Sequence, residues 1–316
     1  MIGLDISKAS FTACRWDPGA EAPAWEKGYP NTPGGVRALL AESEPELAWV
    51  LEPTGRYGEL VVALGQEAGR RVLSAPPAAA KAYRRSENPR AKTDKIDARG
   101  LARFGNQGQL REYRLKSPPL QALWQLLQAR CKLAQALAGL RQQREVFPET
   151  AAFLQEMLQD LQRHVARLDR EIAQAGKQLE LFGRLDAVPG IGPLTAACLT
   201  VRAMTLELGT RDSLVAYAGL DLRVHDSGTH RGKRKLSKRG DAQLRWLLFM
   251  AARATLRSKK GAAFQAYYAR KVAEGWPKTA VICMMARKLA RLASAMAKSG
   301  EAYDPERVFA RTPARA

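Results

Sequence analysis

Two long runs of helically spaced apolar residues set the plan of this chain. In the first, Leu120, Leu123, Trp124, Leu127 and Cys131 recur at threes and fours. In the second, Phe153, Leu154, Met157, Leu158, Leu161, Val165, Leu168 and Ile172 do the same. Apolar residues at that spacing share one face of an α-helix, and that face has to be buried. Ser117-Pro118-Pro119 offers a cap and a first-turn proline before the first run. Phe147-Pro148 breaks the pattern between the runs. Residues 116–182 are therefore expected to form an antiparallel helical hairpin. It either packs within the chain or zips to a second copy as a coiled coil, and the spacing alone fits both. His164 lies on the second run without an acid or Cys at ligand spacing and reads as structural.

The hairpin separates two stretches of different character. In 1–115, short apolar strands are expected at Met1 to Ser7, Phe11 to Trp16, Trp25 to Tyr29, Leu47 to Leu51 and Arg71 to Ser74. Thr32-Pro33 opens a helix through Leu40, and a second helix ends near Ala68. This order predicts a mixed α/β sheet covered by helices. Residues 183–316 read as mainly helical, with helices after Gly192, at Leu214 to Leu220, at Ala242 to Leu256 and at Lys278 to Lys298. The tail from Pro305 is expected to fray. The turn Val188-Pro189-Gly190-Ile191-Gly192-Pro193 either presents backbone N–H groups to a DNA phosphate or only packs locally.

Charge is concentrated in the last third. The 316 residues carry a net +20, of which 183–316 hold +15 with 25 basic against 10 acidic residues. A hydrophobic content of 46% excludes a disordered chain. A basic excess confined to one region points to a nucleic-acid surface there. No apolar run approaches the roughly 20 residues a spanning helix needs. The first residues enter a strand at once rather than a leader peptide, so a cytoplasmic, membrane-free protein is expected. Cys14, Cys131, Cys198 and Cys283 form no close pair, and with three histidines they do not make a zinc site.

Four acids in the first stretch stand out. Asp5 lies within an apolar strand and Glu52 ends another. Asp94 and Asp97, three apart, would share one helix face. Each alone reads as a cap or turn residue. Together they suit Mg2+, which takes carboxylate oxygens plus substrate phosphate, and acids from strand and helix can hold two such ions about 3.5–4 Å apart. Lys92, Lys95 and Arg99 surround the pair and would favour a polyanion.

The most charged segment runs from Arg223 to Gly240. Six basic residues, Arg231, Lys233, Arg234, Lys235, Lys238 and Arg239, follow closely on Asp226-Ser227-Gly228. Glycines at 228, 232 and 240 predict a loop. It is either a solvated basic loop or a grip on nucleic-acid phosphate with a hydroxyl placed beside it. Ser227 and Ser237 are the two candidate hydroxyls, and residue type alone barely separates them.

The order of these motifs resembles the DEDD transposases of bacterial insertion sequences, a group that includes the pilin-gene DNA invertases. The matching pieces are Gly3-Leu4-Asp5-Ile6-Ser7-Lys8, Leu51-Glu52-Pro53-Thr54-Gly55 and Lys92-Thr93-Asp94-Lys95-Ile96-Asp97-Ala98-Arg99. Downstream they are Pro189 to Pro193, Ala216-Tyr217-Ala218-Gly219-Leu220, Asp226-Ser227-Gly228 and Leu236-Ser237-Lys238-Arg239-Gly240 before Leu244-Arg245. One departure is Gly219-Leu220-Asp221-Leu222, where the family often has Gly-Leu-x-Pro. The resemblance implies a RuvC-like, ribonuclease-H-like domain over 1–115, a helical hairpin or coiled-coil linker over 116–182 and a mainly α transposase domain over 183–316. It implies that Asp5, Glu52, Asp94 and Asp97 hold Mg2+ and that Ser227 is the nucleophile, forming a phosphoserine link to cut DNA. It further implies a structured bridge RNA that pairs with donor and target DNA. Homo-oligomers follow too, dimers assembling to a tetramer in which the acids of one subunit meet the serine of another. The rival reading of the same acids is a RuvC-type nuclease that cuts branched DNA with water.

Overall fold

The computed structural model describes residues 1–53, 55–87, 93–108, 110–206, 208–223, 226–227, 230–231 and 235–309, with the backbone alone at 78, 87, 226, 227, 230, 231 and 307. The chain divides into two compact units, Met1–Leu115 and Lys116–Ala316.

The first unit contains β1 (Ile2–Ile6), β2 (Ser10–Arg15), β3 (Trp25–Pro30), α1 (Pro33–Glu42), β4 (Trp49–Leu51), α2 (Glu59–Glu67), β5 (Val72–Ser74), α3 (Pro77–Glu87), α4 (Asp94–Gln107) and β6 (Arg111–Glu112). The strands form one sheet in the order β3-β2-β1-β4-β5-β6. β1, β2 and β3 run as an antiparallel meander, whereas β4 and β5 lie parallel to β1. Parallel neighbours need crossovers, and α1 and α2 supply them. Thr32 caps α1 by accepting from the Gly35 N–H at 3.3 Å. Ile2, Leu4, Phe11 and Trp49 pack with Val36, Leu39, Val61 and Val62 on one face of the sheet. Val50, Leu73 and Leu101 form a cluster of their own, and so do Cys14, Ala98 and Ala102. α3 and β6 were not expected. α3 opens on Pro77 with an alanine run and lacks the apolar stripe by which the other helices were recognised.

At Gly3 the sheet and α4 meet backbone to backbone. A Cβ there would sit 2.1 Å from the Ala98 carbonyl oxygen and 2.4 Å from the Ala102 nitrogen. Only glycine lets the α4 backbone rest on β1. Asp5, two residues on, shares that face of the strand.

The second unit contains α5 (Pro118–Val146), a 3-10 turn (Pro148–Thr150), α6 (Ala151–Gly176), α7 (Glu180–Asp186), α8 (Pro193–Thr205), α9 (Ser213–Tyr217), β7 (Leu222–Arg223), β8 (Asp226–Ser227), β9 (His230–Arg231), β10 (Lys235–Leu236), α10 (Ala242–Thr255), α11 (Ala262–Ala273), α12 (Lys278–Ser299) and α13 (Pro305–Phe309). α5 and α6 form a hairpin tied by Arg130 Nε to Asp169 Oδ1 at 2.9 Å. Leu120, Leu123, Leu127 and Ile172 belong to the same core as Phe182, Leu185, Leu199, Leu244, Met285 and Leu289. At the far end Leu137, Leu154 and Leu158 form a small core of their own. Gly190, at φ +82°, has no room for a Cβ, which would meet the Ala251 carbonyl at 2.5 Å. Packing against α10 thus accounts for that glycine.

Two expectations need correction. Of the tail expected to fray, Pro305–Phe309 instead form α13, whose Phe309 meets Phe264 edge-on at 4.9 Å and Tyr267 at 5.4 Å, and 310–316 lie outside the described residues. The segment 223–240 is not a plain loop. β7 pairs antiparallel with β10, and β8 with β9. Among the described residues, no helix is long and apolar enough to cross a membrane.

Candidate active site

The register of the sheet brings two of the four acids together. Leu4 of β1 lies beside Leu51 of β4 in a parallel pair, so Asp5 and Glu52 leave neighbouring strands at the same end. α4, seated on Gly3, delivers the other two from its first turn. Thr93 caps that helix, its Oγ1 accepting from the Ile96 N–H at 3.2 Å. Asp94 and Asp97 there also face the positive end of the helix dipole, which stabilises their charge.

The electrostatics register this convergence. The Asp5 carboxyl is raised from 3.8 to about 6, first by burial, then by the charges of Asp97 and Asp94, with Glu52 adding and Arg84 opposing. Four carboxylates from a sheet edge and one helix turn form a hard-oxygen donor set, and their repulsion is relieved by a cation. A cation is in fact among them. Arg84 Nη2 lies 3.2 Å from Glu52 Oε2, and its Nη1 lies 3.5 Å from Asp97 Oδ1. In donor chemistry Asp5, Glu52, Asp94 and Asp97 suit a divalent ion. Among the described residues, no three His, Cys, Asp or Glu stand close enough together to hold a metal ion.

The basic residues beside the acids have different surroundings. Lys95 Nζ lies 3.2 Å from Glu26 Oε1, and Arg99 Nε lies 2.6 Å from Glu26 Oε2. These bonds, Arg99's foremost, hold the Glu26 carboxyl below the ordinary range. Arg99 thus braces α4 against β3, while the Lys95 side chain stays 67% exposed. Lys92 lies outside the described residues.

The serine segment stands on a tightly closed base. Gly219, at φ +64°, abuts Arg239, and Gly240, at φ +143°, abuts Tyr217, whose carbonyl would lie 2.2 Å from an added Cβ. Backbone bonds close the contact, from Lys238 N to Gly219 O at 3.0 Å and from Asp241 N to Tyr217 O at 2.8 Å. Arg245 Nη1 donates to the Ala218 carbonyl at 2.8 Å. Asp241 caps α10 through Leu244 N at 2.9 Å and accepts from Arg202 Nη2 at 2.9 Å. The two motifs Ala216 to Leu220 and Leu236 to Gly240 are therefore two sides of one clamp. From it rise the β7–β10 ladder and, beyond that, the β8–β9 pair with Ser227 opposite His230.

The two candidate serines now differ. Ser237 is 8% exposed, donates to Asp221 Oδ1 and accepts from the Arg239 N–H at 3.3 Å. It is a structural hydroxyl of the clamp. Ser227 lies on β8 at the outer pair, where the backbone alone is described. Lys235, Lys238 and Arg239 are exposed. Lys233 and Arg234, and the side chain of Arg231, lie outside the described residues. Arg84, Glu26 and Asp221 were missed in the sequence, since a lone charge carries no periodic signal. Gly100, inside α4, was the one hint of Arg84.

A transposase family model of the IS110 DEDD type matches residues 2–147, and a model of the transposase IS116/IS110/IS902 family matches 183–269. A pilin gene-inverting protein of Moraxella bovis is 28% identical over 96% of this chain and 97% of its own length. A "probable family 20 transposase" of Pseudomonas aeruginosa is 32% identical over 48% of this chain and 46% of its own. The chain belongs to the DEDD transposases and recombinases of insertion sequences, and is a DNA-processing enzyme.

Proposed function

We propose that this transposase cuts and rejoins DNA through a covalent phosphoserine at Ser227, with Asp5, Glu52, Asp94 and Asp97 holding Mg2+. The convergence of the four carboxylates around Asp5 carries this reading. The meander followed by parallel strands, with β1 central and acids at the ends of β1 and β4, supports a RuvC-like assignment of the first unit. Bound Mg2+ would polarise the phosphate and stabilise the departing oxygen.

The chain's own groups do the rest. The Ser227 hydroxyl attacks a DNA phosphorus, a phosphorus–deoxyribose oxygen bond breaks, and the hydroxyl proton passes out as the released strand end becomes a hydroxyl. One phosphodiester is exchanged for another, so rejoining needs no nucleotide cofactor. Lys235, Lys238 and Arg239 on the exposed side of the clamp, with Arg231, Lys233 and Arg234, would hold the nucleic-acid backbone by charge. Lys92, Lys95 and Arg99 are proposed to do so beside the acids, Lys95 being the most exposed of the described two.

Site choice would lie with a structured guide RNA pairing with both donor and target DNA, in the bacterial cytoplasm on the nucleoid. A homo-oligomer, with dimers assembling to a tetramer, would bring acids and serine together from different subunits. The far end of the hairpin supports self-association, because Val146, Phe147, Phe153 and Met157 are exposed there. The experiment is cleavage of junction DNA with Mg2+ and the flanking RNA, read on a denaturing gel. A protein-linked strand that disappears in Ser227→Ala is expected. Free ends without any linked protein would instead indicate a nuclease using water.

A further inference from the structure

Arg84 binds its two acids singly, as Arg15 binds Asp17 and Glu44. Its guanidinium spans two carboxylates from different elements, one nitrogen to each, at 3.2 and 3.5 Å. Arg291, by contrast, grips Asp212 with two nitrogens on two oxygens, at 2.5 and 3.1 Å. The paired fork is the strong arrangement, and single long contacts are weaker and more easily exchanged. Space for Arg84 is nevertheless built in. A Cβ on Gly100 would meet Arg84 Cγ at 2.6 Å and Cδ at 3.0 Å, so α4 carries a helix-weakening glycine in its interior where the arginine stem passes.

Other residues dock α3. Ala80 is buried, the Tyr83 ring meets Phe104 at 5.6 Å, and Gln107 Nε2 donates to Tyr83 Oη at 3.1 Å. Arg84 can therefore leave the acids without undocking its helix.

We propose that Arg84 is a displaceable counter-cation of the acid site. It neutralises Glu52 and Asp97 while no divalent ion is bound, and it releases them when one enters. The inference rests on reading the four acids as an ion site. A divalent ion sharing Glu52 or Asp97 with a guanidinium only a few ångströms away meets strong like-charge repulsion in a half-buried setting. Ion affinity is thereby held down, and the empty site is kept from repelling itself apart.

The test uses the full chain without nucleic acid, titrated with Mg2+ and Mn2+ by calorimetry and melted with and without ion. Arg84→Gln is expected to bind ion about tenfold more tightly, the size of a typical coupling between two ligands. Its melting temperature should fall without ion and return to the wild-type value at saturating ion. Arg84→Lys, which keeps the charge, should stay near wild type. An arginine that merely props the fold would lower both melting temperatures equally. That result, or unchanged or weaker ion binding by Arg84→Gln, would overturn the proposal. Asp5→Asn separates the two levels. If wild type binds ion, Asp5→Asn does not, and Arg84→Gln gains nothing, the ion site stands and the counter-cation role is wrong. If wild type takes up no ion that Asp5→Asn abolishes, the ion-site reading fails and this proposal with it.

Discussion

Asp5 sits on the central strand, on the face that receives α4, with three further carboxylates acting on it. Its carboxyl is held at about 6 rather than 3.8. Between those values the folded chain keeps a proton that the unfolded chain has released. Ion-free stability from this group therefore falls as pH rises through that window, and stays lower above it. Asp5→Asn cannot ionise. In chelator at pH 7 it is expected to be more stable than wild type, and the gap should close towards pH 4. Thermal unfolding of both proteins across that range checks this, and a variant less stable at pH 7 would contradict it. The importance of Asp5 was legible in the sequence, because an acid inside an apolar strand is costly unless it has a task. The choice between Ser227 and Ser237 was not, since both lie beside the same basic run. Ser237 is buried and bonded to Asp221, whereas the side chain of Ser227 lies outside the described residues.

At the level of elements, the clamp explains why two short motifs, Ala216 to Leu220 and Leu236 to Gly240, both carry glycine. Gly219 and Gly240 combine positive φ with direct backbone contact across the clamp. Gly240→Ala would place a methyl 2.2 Å from the Tyr217 carbonyl. It is expected to cost about 2 kcal/mol or more in denaturant unfolding, through strain and a forced opening of the clamp. DNA joining should fall with it, because Ser227 stands on that base. A neutral Gly240→Ala would mean the clamp is not rigid. Strands with clear apolar runs and capped helix starts could be read directly, as Thr32-Pro33 at α1 shows, while at α5 Ser117 holds the cap position before Pro118 without a side-chain capping bond. α3 and α11 escaped because their helical character rests on propensity and scattered aromatics rather than on a continuous stripe. α13 was misjudged because aromatic partners far back in the chain, Phe264 and Tyr267, hold it. The helical hairpin left intramolecular packing and self-association open, and the structure shows packing within the chain. One end is built into the core of the second unit, and the other exposes apolar residues.

The whole molecule has its four candidate carboxylates in one unit and +15 of its net charge of +20 across 183–316, the stretch that carries the serine segment. Binding to nucleic acid should therefore weaken steeply with salt. Replacing Lys235, Lys238 and Arg239 together by Gln is expected to reduce the slope of log affinity against log salt by about 2–3, with similar losses on all sequences. An unchanged slope would place the phosphate contacts elsewhere. In the proposed reaction, acids of the first unit would assist a hydroxyl carried by the second. The most direct test is to trap the reaction with junction DNA, Mg2+ and the flanking RNA, digest both polymers, and map the nucleotide-bearing peptide by mass spectrometry. The predicted result is a nucleotide phosphodiester on Ser227 that is absent in Ser227→Ala and in Asp5→Asn but retained in Ser237→Ala. Attachment at Ser237, or cut DNA with no modified peptide, would contradict it.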